Sequence, residues 1–108
     1  MLDAAVIDAV RSYLRAARDH GIPVSFGVVF GSFAIGRAGQ WSDIDLVVVS
    51  PRFDGPRSRD DVKLLWRLAA RTDNRIEPIA CGERQWRQDD SSAILEIARR
   101  EGQRVEAA

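Results

Sequence analysis

The sequence predicts an α/β fold: a small mixed sheet with helices mainly on one face. Three observations lead there. Apolar runs of strand length, rich in Val, Ile and Phe, recur at 25–30, 44–49 and 75–80. Stretches with apolar residues at helical spacing alternate with them, giving helix, strand, short helix, strand, helix, strand, helix. And 108 residues suit one domain, 1–108, with a modest core and no room for a second.

The first helix reads over 3–20, with Val6, Val10, Leu14 and Ala17 on one stripe, joined by Ile7. Arg11, Arg15 and Arg18 fall off that stripe, toward solvent. Gly21 and Pro23 end the helix. His20, the only histidine, sits in the last turn, where an imidazole suits the dipole, so a structural role is expected. Strand 25–30 runs into Gly31-Ser32, Phe33 and Ala34 begin a short helix, and Gly36 and Gly39 give a flexible crossing to Trp41 and Ser42. The second strand, 44–49, stops at Ser50-Pro51, and 52–57, with Phe53 and Gly55-Pro56, reads as a loop or turn. Ser58 followed by Asp61 is a capping pattern for a helix whose stripe is Val62, Leu65, Trp66 and Ala69. Trp66 is therefore expected in the core rather than as a base-stacking platform. Pro78 has no N–H to give, which places the third strand at an edge or in irregular pairing. After Cys81-Gly82, the polar piece 83–90 with Trp86 reads as a helical turn and loop. Asp90, Ser91 or Ser92 caps a last helix, 93–101, with Ile94, Ile97 and Ala98 inward and Gly102 as its stop. Residues 104–106 either add a short strand or fray; the sequence leaves both open.

Composition removes several function classes. Formal net charge is zero, so no global field draws the chain to nucleic acid or to a membrane. Fifteen Arg stand against one Lys, Lys63, a skew that genome composition alone can produce. Cys81 is alone and cannot form an internal disulfide, and no Cys/His cluster suggests zinc. There is no stretch of membrane-spanning length and no signal-peptide pattern, so a cytoplasmic setting is the expectation. No internal repeat or low-complexity segment occurs.

The chemistry concentrates in residues 30–46. Asp43 and Asp45 lie two apart, which on a strand puts both carboxylates on one face and Ile44 and Leu46 on the other. Like charges that close raise each other's pKa, and a divalent cation between them relieves the repulsion. Mg²⁺ takes such carboxylate oxygens and completes its shell with water and substrate phosphates. Gly31 lets a phosphate approach the backbone, and Ser32 adds a hydroxyl and, if a helix begins there, free N–H groups. Arg37 is the one cation within this stretch, either near a triphosphate or solvated. Each feature has a plainer reading. Gly31-Ser32 is often only a turn, Asp43 can open a strand, and Asp45 can be a surface acid. The apolar residues around Asp45 favour a partner or a metal. Glu77 is an acid flanked by Ile76, Pro78 and Ile79, and Arg75 shares its face by parity, so a salt bridge between them is the alternative.

Gly31-Ser32, a ten-residue gap, then Asp43-x-Asp45 resembles the signature of the DNA polymerase β-like nucleotidyltransferase superfamily, in its minimal nucleotidyltransferase branch. The likeness spans about 24–80 and implies the minimal nucleotidyltransferase fold. It implies a third carboxylate on a later strand, a place Glu77 matches and for which Asp73 is the fallback. It also implies one or two Mg²⁺ on Asp43, Asp45 and Glu77, with Glu77 deprotonating or orienting an attacking hydroxyl. Gly31 and Ser32 would hold the β/γ end of ATP or another nucleoside triphosphate. Many minimal members carry an arginine where this chain has Ile35, so no phosphate contact is expected from that position. Larger members add a helical domain that grips base or acceptor; a minimal one is expected to borrow that surface from a partner. Minimal members are similar to the antitoxin half of two-protein modules, whose all-helical HEPN-type companion receives AMP on a tyrosine. Two other functions fit the same residues: a non-catalytic partner-binding module, and a transferase acting on a small molecule such as an aminoglycoside. The acceptor, the base preference and homo- or hetero-oligomeric assembly stay open at this level.

Overall fold

The computed structural model describes residues 2–39, 42–56 and 58–107. Helix α1 (Ala4–Asp19) starts where the Asp3 carboxylate accepts the Ala5 N–H at 3.0 Å. Its buried side chains are Val6, Val10, Leu14 and Ala17, as the periodicity predicts, with Tyr13 added. The Tyr13 hydroxyl donates to the Leu65 carbonyl at 2.8 Å, and burial pushes that phenol well above its ordinary range. His20 Nδ1 lies 2.8 Å from the Ala16 carbonyl at the end of the helix, a structural cap as expected. Arg18, expected simply to face solvent, donates to the Val24 carbonyl at 2.9 Å and pins the loop leading to the sheet.

The sheet has four strands, β1 (Phe26–Phe30), β2 (Ile44–Val49), β3 (Ile76–Cys81) and β4 (Gln103–Val105), in the order β3-β2-β1-β4. β1 is antiparallel to both β2 and β4, whereas β2 and β3 are parallel. Helix α2 (Arg59–Thr72) makes the long crossover that a parallel pair needs. Pro78 sits on the edge strand, where its missing N–H costs no ladder bond. The tail is settled as strand: Gln103 pairs with Val29 and Val105 with Gly27.

The register sorts every strand residue onto one of two faces. Ile44, Leu46 and Val48 of β2, with Ile76 of β3 and Val29 of β1, join the core built by α1 and α2. Phe26, Val28 and Phe30, with Val47, Val49 and Cys81, form a second cluster, under α4 (Ala93–Glu101) and against Trp86 of α3 (Glu83–Gln88). So the two long helices share one face and the short ones cap part of the other. Among the described residues no helix is long and apolar enough to cross a membrane.

Two expected stripes are rotated. On α2 the inward residues are Asp61, Leu65, Leu68 and Ala69, while Val62 and Trp66 are 37% and 48% exposed. Trp66 is thus not core. The cause is Arg52, whose guanidinium meets both Asp61 carboxylate oxygens at 2.9 Å and turns that acid inward. A count of apolar residues cannot see this pair. On α4 Leu95 and Ala98 point inward, and Ile94 and Ile97 are 50% and 37% exposed. There Arg99 reaches the carbonyls of Trp86 and Gln85 at 2.6 and 3.0 Å, fixing the helix's rotation against α3. The Trp41 end of the crossing predicted between β1 and β2 lies outside the described residues.

Candidate active site

Phe30 ends β1 in extended geometry, and the chain reverses at Gly31, which holds φ +76°. The conformation favours glycine, and so does the space: a Cβ there would collide with Oδ2 of Asp45. The turn Gly31–Phe33 is a single 3₁₀ turn, closed by Ala34 N–H donating to the Gly31 carbonyl at 3.1 Å. It is too short to carry a macrodipole, so the anion affinity expected of a helix start reduces to individual groups. Those are the N–H groups at the head of the turn and the Ser32 hydroxyl. Arg37 is exposed, and its N–H donates to the Ser32 carbonyl at 2.9 Å, tying the following loop back to the serine.

The strand register builds the rest. Asp45 lies directly beside Phe30 of β1 on one side and Glu77 of β3 on the other. Glu77, Asp45 and Phe30 therefore form one lateral row on one face of the sheet. The next row on that face is Ile79, Val47 and Val28, and the one after is Cys81, Val49 and Phe26. Helix α4 packs on these apolar rows. The acid row lies at the end of that face. Asp43, two residues before Asp45, is exposed, and Asp45 and Glu77 are half-buried.

The three acids act on one another's charge. Burial raises the Asp45 carboxyl above its usual range, the charge of Asp43 raises it further, and a hydrogen bond with Glu77 partly offsets both. Burial likewise raises Glu77, followed by the charges of Asp43 and Asp45 and hydrogen bonds with both. Glu77 is thus within hydrogen-bonding reach of the two aspartates. The competing salt bridge is excluded. Arg75 donates to Asp73 instead, at 3.0 and 2.6 Å, and lies 5.8 Å from the Phe33 ring centroid. That pair holds the Asp73 carboxyl below its usual range and leaves Glu77 to the aspartates.

The donor set is all carboxylate oxygen, which suits a hard divalent cation and not zinc. Among the described residues no group of three His, Cys, Asp or Glu side chains is arranged around one point as metal ligands are. The three carboxyls instead lean on one another, and their mutual repulsion is what a cation would relieve. A cavity of 560 Å³ opens elsewhere, between Phe53, Asp54 and the Arg84–Gln85 turn, where Asp54 caps α3. It contains none of Asp43, Asp45 and Glu77.

Sequence reasoning placed Gly31, Ser32, Asp43, Asp45 and Glu77, and the structure brings these together. It missed Phe30 as the apolar neighbour of Asp45, because residue parity gives the face but not the register.

Comparison with known proteins agrees with the geometry. The family model described as a nucleotidyltransferase domain matches residues 10–98. No characterised protein sequence matches the chain closely enough to count as a relative. Among solved structures, the chain is similar to one from a crystal structure of a toxin-antitoxin with AMP-PNP. The two share 19% identity at a TM-score of 0.60, over 91% of this chain and 73% of that one, a likeness of fold.

Proposed function

Because the chain belongs to the nucleotidyltransferase domain family, we propose that it moves a nucleoside monophosphate, AMP from ATP, onto a hydroxyl of a protein partner. The acceptor in this reading is a tyrosine of a HEPN-type toxin, and the chain is the antitoxin. One observation carries the chemistry: Glu77 of β3 stands beside Asp45 of β2 within reach of Asp43, next to the Gly31-Ser32 turn. The solved toxin-antitoxin with AMP-PNP supports the partner and the nucleotide.

In this reading the Ser32 hydroxyl and the N–H groups beside it hold the β- and γ-phosphates, with Arg37 on the same loop as a further cation. Asp43, Asp45 and Glu77 would hold Mg²⁺, one ion or two. When bound, that cation neutralises phosphate charge and stabilises the attacking and leaving oxygens of an in-line displacement. Glu77 takes the proton of the acceptor hydroxyl or orients it. The acceptor oxygen forms a bond to the α-phosphorus, the bond from that phosphorus to the β-phosphate oxygen breaks, and pyrophosphate leaves. Orientation and charge neutralisation supply most of the rate. The proposed setting is cytoplasmic, where ATP is supplied.

The test is to incubate the chain with α-labelled ATP, Mg²⁺ and the product of the adjacent reading frame. Label on a partner tyrosine is expected. Asp45→Asn should lower transfer at least 100-fold, roughly 3 kcal/mol of barrier, without weakening partner binding. A chain that neutralises its partner equally well as Asp45→Asn is a binding module and not an enzyme. Label on an aminoglycoside instead of the protein would favour a small-molecule transferase.

A further inference from the structure

We propose that the outer flank of α2 is a docking surface for an acidic, apolar-ridged helix of the partner protein, separate from the acid site. The inference rests on the partner half of the reading above. Its starting point is the unfinished apolar stripe of α2. Leu65 and Ala69 are 1% and 2% exposed, yet Val62 and Trp66, which adjoin them on the helix surface, are 37% and 48% exposed. Val62 and Trp66 stand one turn apart and form a single ridge. Their exposure leaves an apolar strip along the helix that this chain does not cover.

Beside the ridge, Arg59, Lys63 and Arg67 recur every fourth residue, a basic row along the same helix. Among the described residues none of them makes an ion pair. The acids of α2 do not balance them: Asp61 is turned inward to Arg52, leaving Asp60 in the first turn. A groove of 360 Å³ lined by Ser58, Arg59, Val62 and Lys63 opens at the helix start. An apolar ridge edged by cations fits a helix with apolar side chains at turn spacing edged by Asp and Glu. A second copy docked α2 against α2 does not fit, since it would set the two basic rows against each other. A single-stranded nucleic acid fits less well, because half of the ridge is an aliphatic valine with no face for stacking.

Helix α2 packs on the sheet face opposite Asp45 and Glu77. A partner seated there leaves the acids open, so docking and transfer are separable. The experiment measures Kd between the full chain and the product of the adjacent reading frame by calorimetry. It compares the wild type, Trp66→Ala, the pair Lys63→Glu with Arg67→Glu, and Asp45→Asn. Both α2 variants are expected to raise Kd at least about tenfold with unchanged circular dichroism, and the wild-type Kd to weaken with salt; Asp45→Asn is expected to bind as the wild type does. If both α2 variants bind within about twofold of the wild type, this surface is wrong while the nucleotidyl-transfer reading stands. If no complex forms and no label moves, that reading falls and this one with it. A single-stranded oligonucleotide of about 20 residues, run in parallel, overturns the proposal if it binds the wild type and loses affinity in the charge-reversed variant.

Discussion

The two faces of β2 are made by alternate residues of the same six-residue strand, and they obey different rules. On one face Ile44, Leu46 and Val48 are each 0% exposed beneath α1 and α2. On that face even the neighbouring strand gives up its side chain: a Cβ at Gly27 would stand 3.0 Å from both Leu14 and Leu46. On the other face Val47 and Val49 are equally buried, but the row closes with a half-buried Asp45 beside Glu77. The first face is fully buried and contributes stability. The second is filled only as far as α4 reaches, and beyond it three like charges are held together at an energetic cost. Packing and chemistry are therefore separated by a single residue step along one strand.

That separation can be broken experimentally, and the largest effect is expected on the closed face. Leu46→Ala should cost about 2–5 kcal/mol in urea unfolding, a large share of the roughly 5–15 kcal/mol typical of a domain. Its neighbour Asp45→Asn should not lower the midpoint at all. A loss below about 1 kcal/mol for Leu46→Ala would mean that this face is not the core.

Gly31→Ala sharpens the comparison at the open end. Its φ of +76° and the collision with Asp45 act together, so a stability loss of roughly 1–3 kcal/mol is expected. Label transfer should fall with it, since Asp45 must move. Full transfer by a folded Gly31→Ala protein would place the nucleotide somewhere other than this turn.

The smallest effect has the opposite sign. Glu77 has its carboxyl raised in the folded chain, so the folded state binds that proton more tightly than the unfolded state does. Its favourable contribution is present below the ordinary Glu range and is lost as pH rises through the raised value. Glu77→Gln removes that loss. Because solvent still reaches the half-buried carboxyl and screens it, the gain at pH 7 in low salt and chelator is small, a rise in Tm of roughly 1–3 °C. It should vanish near pH 4 and shrink with added salt. A variant less stable than the wild type at pH 7 would show that Glu77 serves packing rather than the charge cluster.

Much of this was legible beforehand. The α4 and β2 boundaries read from the sequence, 93–101 and 44–49, are those observed, because caps and breakers at Ser92, Gly102 and Ser50-Pro51 are local signals. Asp45 and Glu77 were legible because charged residues in apolar strands stand out against their neighbours, and Asp43 because it stands two residues before Asp45. The rotations of α2 and α4 were not. Both depend on an arginine reaching a group in another element, Arg52 to Asp61 and Arg99 to the Trp86 carbonyl. Neither contact leaves a trace in local periodicity, and Val62, Trp66, Ile94 and Ile97 were misplaced for that reason. The choice of Arg75 between Asp73 and Glu77 was likewise undecided by parity alone.

By itself the chain order determined most of the elements, a place at an edge or in irregular pairing for Pro78, and which face of β2 and β3 Asp45 and Glu77 would occupy. Those follow from φ limits, from the missing proline N–H and from the two-residue pleat, all properties of short stretches. Only the tertiary structure decided that Glu77 stands beside Asp45, that Gly31 must lack a side chain because an Asp45 oxygen fills the space, and that α2 keeps a tryptophan outside. These depend on strand register and helix rotation, which are set by the competition of all long-range contacts at once.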